Sequence, residues 1–154
     1  MSSLPIATEQ IINLNPVVIR RRVKWGECDP AGVVYTATFS DYVISAAELF
    51  YGTLFNSTPQ RAKRDHGFGT PTRALGFEFS RSLWPDEEFE MTVSVAEIRK
   101  SSYVLDIIAR MLDGDTVFVA RLTPVCVARS ERRSIDIPSA FRKALEGYQQ
   151  ACAA

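Results

Sequence analysis

The order in which hydrophobic residues change their spacing restricts the fold of this chain more than any other feature. Residues 39–51 carry apolar side chains at helical spacing, and Asp41, Ser45 and Glu48 form a thin polar strip along them. A helix that is apolar almost all round must be largely buried. Most of residues 75–128 then alternate between apolar and polar side chains, as β-strands with one covered face do. This order predicts one buried helix that lies against an antiparallel sheet.

Five strands are expected, one before the helix and four after it. They are placed at 17–25, 75–79, 89–95, 103–111 and 116–128, behind a polar leader over 1–16. Pro124 cannot donate a ladder hydrogen bond, so it predicts an edge or a bulge in the last strand. A C-terminal helix over 138–150 is expected from the helical spacing of Phe141, Leu145 and Tyr148.

These elements define an α+β fold in which a five-stranded antiparallel sheet wraps around a central helix. The whole chain, 1–154, is expected to form a single domain with its core over 17–128. A sheet this small leaves edges exposed, and exposed edges favour pairing with a second copy. A homodimer or homotetramer is therefore expected.

Composition and net charge limit the kinds of partner and the compartment that are expected for this chain. Eighteen basic and eighteen acidic residues give a net charge of zero, so no overall attraction to nucleic acid or to a membrane surface is expected. No apolar stretch reaches the ~20 residues that span a bilayer. The three cysteines are widely spaced and suggest neither a disulfide framework nor a metal site. These features predict a protein of the cytoplasm.

The loop between the first strand and the helix contains the best candidates for chemistry. It carries Glu27 and Asp29 and leads into a helix where Thr38 and Asp41 resemble an N-terminal capping pair. A helix N-terminus presents unpaired backbone N–H groups that can polarise a carbonyl. An upstream carboxylate can attack that carbonyl or activate water against it. The loop suggests acyl transfer or hydrolysis, although Asp-Pro also initiates ordinary turns.

Three short motifs extend this interpretation. They are Asp-Pro-Ala-Gly-Val-Val-Tyr at 29–35, His-Gly-Phe-Gly-Thr-Pro at 66–71 and Glu-Ile-Arg-Lys-Ser-Ser-Tyr at 97–103. Together they resemble the 4-hydroxybenzoyl-CoA thioesterase family of the hotdog fold, in its pseudomonad-type branch, over about residues 17–140. The resemblance implies hydrolysis of an acyl-CoA, in the first place an aromatic one, with no metal or redox cofactor.

The resemblance also implies roles for individual residues. Asp29 would be the catalytic carboxylate, and a backbone N–H near Thr36 would polarise the thioester carbonyl, with Tyr35 beside it in the catalytic set. The residues that would bind the CoA are Thr70, Arg99 and Lys100. From the residues themselves, four aromatic side chains are candidates either for the wall of an acyl pocket or for the core: Trp25, Tyr35, Phe39 and Phe68.

Several alternatives stay open. Glu48 is a rival catalyst, because other hotdog thioesterases carry their carboxylate on the central helix. Glu27 is either a solvated or supporting carboxylate or itself a catalytic one. Cys28 together with His66 suggests a cysteine nucleophile from composition alone. Ile44 stands where the 4-hydroxybenzoyl enzyme is expected to carry a carboxylate, which argues against recognition of a para-hydroxyl group. Other functions to consider are a hotdog hydratase or dehydratase, and a module that binds acyl-CoA without turnover.

Overall fold

An antiparallel sheet with a long helix packed across one face makes up the structure, a computed structural model that describes residues 7–153. Its strands are β1 (Glu9–Leu14), β2 (Val17–Arg22), β3 (Phe68–Gly69), β4 (Thr72–Phe79), β5 (Glu88–Ile98), β6 (Tyr103–Met111), β7 (Thr116–Pro124) and β8 (Val127–Ala128). Its α-helices are α1 (Thr38–Phe55), α2 (Pro59–His66) and α3 (Ser139–Ala153), and a 3₁₀ turn covers Trp25–Glu27. The predicted α+β arrangement, with a central helix and a C-terminal helix, is confirmed.

The main sheet has six strands rather than the expected five. Its order is β1-β2-β5-β6-β7-β4, with every neighbouring pair antiparallel. The additional strand, β1, lies within the segment predicted as a polar leader. Most of its residues are exposed, so it lacks the apolar alternation that marks the other strands.

The last predicted strand is shorter than expected because it stops at Pro124. The register of β4 against β7 shifts opposite this residue, between Thr72 and Ala74, which confirms the predicted irregularity. The chain then continues into β8, which pairs with β3 in a separate two-stranded sheet. A proline cannot continue the ladder of hydrogen bonds, and the strand therefore ends where its donor is missing.

The apolar side of α1 is buried against the sheet. Its covered residues are Phe39, Tyr42, Val43, Ala46, Ala47, Phe50 and Tyr51. The ring of Phe39 lies 5.6 Å from that of Phe118, and the ring of Tyr42 lies 5.2 Å from that of Phe89. Each such aromatic side chain contributes roughly 1.5–3 kcal/mol when it leaves water. Ile44 departs from the pattern, since it is exposed on the polar side of the helix.

The C-terminal helix covers the sheet beside α1. Phe141, Leu145 and Tyr148 are buried, as their spacing predicts. The Tyr148 hydroxyl accepts a hydrogen bond from the Val17 N–H at 2.8 Å and donates one to the Val93 carbonyl oxygen, so it joins α3 to the neighbouring strands β2 and β5. In the described part of the chain, no helix is both long enough and apolar enough to cross a bilayer.

The Tyr148 hydroxyl is expected to contribute to stability. Replacement by Phe in Tyr148→Phe leaves the buried Val17 N–H and Val93 carbonyl without this partner, and the free energy of unfolding should fall by about 1–3 kcal/mol. Urea denaturation measures the change. Tyr35→Phe is the matched control, because the Tyr35 side chain is exposed and its loss of a hydroxyl should cost little. Equal midpoints for the two variants would contradict the assigned role.

Candidate active site

The loop that follows β2 is held as a tight turn. Cys28 and Val34 form an antiparallel bridge, in which the Asp29 N–H donates to the Val33 carbonyl at 2.9 Å. The Val34 N–H donates to the Leu83 carbonyl at 2.9 Å, which ties the turn to the segment after β4. The turn is therefore anchored on two sides and keeps a defined position at one end of the sheet.

Asp29 occupies the first position of this turn and uses part of its carboxylate to stabilise it. Oδ1 accepts the Ala31 N–H at 2.8 Å, and the Asp29 carbonyl accepts the Gly32 N–H at 2.9 Å. Asp29 is thus a turn former, as the Asp-Pro pair indicates. Its second carboxylate oxygen, Oδ2, has no hydrogen-bond partner within residues 7–153. Both interpretations of Asp29 are therefore compatible, because one oxygen holds the turn and the other stays open.

The segment that leads into α1 leaves a backbone donor, the Thr36 N–H, open within the described residues. The helix begins at Thr38, and the residue before it, Ala37, provides no side-chain cap, so the predicted capping pair of Thr38 and Asp41 is wrong. The Thr38 N–H donates to the Tyr35 carbonyl at 2.8 Å instead. No acceptor for the Thr36 N–H lies in the described range 7–153. An uncapped helix entrance concentrates partial positive charge where an anion or an oxyanion can accept a hydrogen bond.

Asp29 and Thr36 line the same cleft, which has a volume of about 410 Å³. The other lining residues are Val33, Val34, Phe39, Phe79, Arg81 and Ser82. Of the aromatic candidates for the acyl pocket, Phe39 lines this cleft, whereas Phe68 is fully buried in the core. The contribution of residues 79–82 was not anticipated, because they are about 50 positions from Asp29 and carry no recognisable motif. The hydrogen bond from the Val34 N–H to the Leu83 carbonyl and the contact between the rings of Phe39 and Phe79 bring this segment to the loop and the start of α1.

Two predicted aromatic neighbours occupy other positions. Trp25 was expected at the end of the first strand on its apolar side, but it lies in the 3₁₀ turn and exposes 87% of its surface. The Tyr35 side chain is exposed and does not line the cleft, whereas its N–H donates to the Glu27 carbonyl at 3.0 Å. The strand ends at Arg22, so the alternation that was extended to Trp25 no longer determines where that side chain points.

The other candidate catalytic residues do not line the cleft: they are Glu48, His66 and Cys28. Glu48 is exposed on α1, ten residues beyond Thr38 and therefore roughly 15 Å along the helix. The ring of His66 packs at 4.8 Å against that of Phe55, far from the loop in the chain. Cys28 is close to Asp29, but desolvation and the charges of Glu27 and Asp29 raise the pKa of its thiol. A raised pKa disfavours the thiolate that a cysteine nucleophile requires.

The predicted CoA-binding residues gather at the opposite end of the sheet. They are Thr70, Arg99 and Lys100, of which the last two are exposed. The Val125 N–H donates to the Pro71 carbonyl at 2.9 Å, and Val125 also bridges to Ser102, so the start of β4 and the turn between β5 and β6 are neighbours. Asp29 lies by the far end of β4, roughly 20 Å away at ~3.3 Å per residue. A single chain therefore does not bring the two halves of the predicted site together.

The turn that carries Asp29 is expected to depend on Gly32. Gly32 has φ +89°, and a Cβ there would lie 3.4 Å from the Trp84 ring. Gly32→Ala should therefore lower the free energy of unfolding by about 1–3 kcal/mol, since non-glycine residues rarely adopt this conformation. Gly26→Ala in the same loop is the control, because a Cβ there meets no atom within 4 Å. The comparison is made by denaturant unfolding, and equal costs for the two variants would contradict the argument.

Known structures share this architecture at low sequence identity. A 1,4-dihydroxy-2-naphthoyl-CoA thioesterase from Synechocystis superposes with a TM-score of 0.74 at 19% identity, covering 83% of this chain and 93% of that chain. The 4-hydroxybenzoyl-CoA thioesterase of a Pseudomonas strain gives 0.72 at 22% identity, with coverages of 82% and 96%. A Staphylococcus aureus protein in complex with CoA gives 0.80 at 12% identity, with coverages of 96% and 89%. These similarities establish the hotdog fold.

The family is established by a match in sequence. A family model described as the thioesterase-like superfamily matches residues 23–145, well over half of the chain. No curated protein sequence matches this chain. The matched range includes the Asp29 loop, α1 and the whole of β4 to β8, and it bears out the resemblance to hotdog thioester hydrolases. The chain belongs to the thioesterase-like superfamily.

Proposed function

We propose that this protein hydrolyses an acyl-CoA thioester and prefers an aromatic acyl group. One observation carries the proposal: the Asp29 carboxylate and the Thr36 N–H line one cleft, and within residues 7–153 each has an open hydrogen-bonding position. Thioester cleavage needs both kinds of group. The carboxylate promotes attack on the carbonyl carbon, and the amide stabilises the negative charge that develops on the carbonyl oxygen.

The proposed reaction begins when the thioester carbonyl oxygen accepts the Thr36 N–H. If Asp29 acts as a general base, it takes a proton from water while the water oxygen bonds to the carbonyl carbon and the C–S bond breaks. If Asp29 acts as a nucleophile, it forms a mixed anhydride and releases CoA, and water then hydrolyses the anhydride. In both routes CoA leaves as a thiolate that takes up one proton. The only co-reactant is water, and CoA belongs to the substrate.

Aromatic side chains in the cleft support the preference for an aromatic acyl group. The rings of Phe39 and Phe79 lie 4.9 Å apart in an edge-to-face arrangement, and Phe79 still exposes 47% of its surface. An exposed ring next to a buried one offers a surface on which a flat acyl group can pack. Two of the structural relatives are named for aromatic acyl-CoA substrates, which supports the same substrate class.

A second copy of the chain would unite the two halves of the site. β4 is the last strand of the sheet, and within the described residues its outer edge is unpaired. An unpaired edge can pair antiparallel with the same edge of a twofold-related copy. Antiparallel pairing would set the Phe79 end of one β4, with Asp29, beside the Thr72 end of the other. We therefore propose a homodimer, or a homotetramer built from it, with its sites between subunits.

In this arrangement Thr70, Arg99 and Lys100 of the partner subunit would hold the CoA portion. Guanidinium and ammonium groups suit the phosphates of CoA, and a relative of the same fold is in complex with CoA. Arg99 is already paired with Glu97 at 3.0 Å, but both side chains are exposed and such a pair is readily exchanged for a phosphate. The cytoplasm is the proposed compartment, consistent with the three cysteines being free thiols.

Replacement of Asp29 tests the proposed chemistry. Asp29→Asn retains an oxygen for the Ala31 N–H but removes the charge, and kcat should fall by about a hundredfold or more. Thiol release is followed with a thiol-trapping chromophore on benzoyl-, 4-hydroxybenzoyl-, phenylacetyl-, butyryl- and palmitoyl-CoA. Asp41→Asn is the control, since Asp41 is exposed in the first turn of α1. Full activity of Asp29→Asn would move the catalytic role to another carboxylate. Tight binding of the esters without thiol release by the native protein would indicate a binding module.

Mixing two defective chains tests whether the site lies between subunits. Asp29→Asn chains and Arg99→Ala/Lys100→Ala chains are each expected to be weakly active at low substrate concentration. After denaturation and refolding together, half of the dimers are mixed, and each mixed dimer holds one site with both defects and one intact site. Activity should then recover to about a quarter of the native value. No recovery, with dimers confirmed by light scattering, would place each site within one chain.

A further inference from the structure

A charged residue interrupts the apolar face of β2. Val17, Ile19 and Arg21 occupy alternate positions, and all three are buried toward α1. The Arg21 side chain exposes only 10% of its surface. Burying an arginine at this position of the strand costs free energy unless its charge is paired, so the partners of Arg21 indicate its role.

Arg21 is paired with two carboxylates and an aromatic ring. It donates to Glu9 Oε2 at 3.3 Å and forms a short ion pair with Glu27, and its guanidinium lies 4.9 Å from the centre of the Tyr42 ring. Glu27 in turn accepts the Tyr42 hydroxyl at 3.0 Å. Burial, followed by the Glu27 charge, raises the pKa of Tyr42 well above its ordinary value, so the hydroxyl keeps its proton and remains a donor.

Glu27 also holds the backbone on both sides of the turn that carries Asp29. Its Oε1 accepts the Lys24 N–H at 2.8 Å, which closes the 3₁₀ turn before Asp29. Its carbonyl oxygen accepts the Tyr35 N–H at 3.0 Å and the Thr38 hydroxyl at 3.5 Å. Glu27 is therefore bonded to β2 and α1 by its side chain, and to the entrance of α1 by its carbonyl.

We infer that Glu27 is a positioning residue, which with Arg21 and Tyr42 sets the distance between the Asp29 carboxylate and the Thr36 N–H. The inference rests on the proposed function of these two groups. Asp29 is two residues after Glu27, and Thr36 directly follows Tyr35, whose N–H is bound to Glu27. A displacement of the order of 1 Å between two reacting groups can reduce turnover by about a hundredfold. Glu27 itself is not among the described residues that line the cleft.

The experiment compares Glu27→Gln and Tyr42→Phe with a matched control on the neighbouring strand β5. Glu90→Gln removes a carboxylate that accepts from Arg20 at 3.0 Å on the opposite side of β2, away from α1. The assay uses the CoA ester of the panel with the highest kcat/KM in the native protein. Glu27→Gln should lower kcat about tenfold with KM changed less than about twofold, because alignment is lost while binding is retained. Tyr42→Phe should shift kcat in the same direction, and Glu90→Gln should not.

The double variant distinguishes positioning from an independent effect. If Glu27 acts through Asp29, Glu27→Gln should cause no further loss in the Asp29→Asn background. Losses that add in the double variant, or full kcat in a folded Glu27→Gln protein whose Asp29→Asn counterpart is inactive, would overturn the inference and leave the proposed function intact. If Glu27→Gln melts below the assay temperature, Tyr42→Phe decides, because it removes one hydroxyl and keeps the ring.

Hydrogen exchange gives a readout that does not depend on turnover. Amides in residues 28–37 should exchange about tenfold faster in Glu27→Gln than in the native protein, while Glu90→Gln leaves them unchanged. Unchanged exchange in this segment would overturn the positioning role. Absence of thiol release by the native protein would contradict the proposed function alone, and the exchange result would still decide whether Glu27 holds the loop.

Discussion

The apolar side of α1 lies across the sheet with Phe39, Tyr42 and Phe50 almost fully covered, and the positions of the other elements follow from this contact. A six-stranded antiparallel sheet has one face that must be removed from water, and α1 with α3 supplies the cover. Because the axis of α1 is fixed by packing, the place where the helix begins is fixed as well. That place lies at one end of the sheet, where the loop after β2 arrives.

The candidate site arises from the way the chain enters this helix. The helix starts without a side-chain cap, and just before it the Thr36 N–H has no acceptor within residues 7–153 and lines the same cleft as Asp29. We infer that the buried group of Arg21, Glu27 and Tyr42 holds the loop in place, and its contacts do not use the Thr36 N–H.

Sequence reasoning succeeded where the interacting residues are close along the chain. Asp29 and Thr36 are seven residues apart, and a turn followed by a helix leaves few ways to arrange them. It was less successful at positions decided by distant segments. Phe79 and Arg81 line the cleft because their segment pairs with the Asp29 loop, and no local motif predicts that pairing. Trp25 is not at the end of a strand as expected, because β2 ends three residues before it. The signal for Arg21 was present, since an arginine occupies an apolar register of β2, but its partners were not readable from periodicity.

The sequence by itself determined the α+β class, the buried helix, four of the later strand positions and the motif around Asp29, because these depend on periodicity and on short-range turn chemistry. Only the tertiary structure decided that β1 extends the sheet, that residues 79–82 complete the cleft, and that Thr70, Arg99 and Lys100 lie at the far end of β4 from Asp29. These outcomes depend on strand order and register. Strand order and register are set by the packing of segments far apart in the chain, and a pattern of period two is the same whichever strand becomes its neighbour.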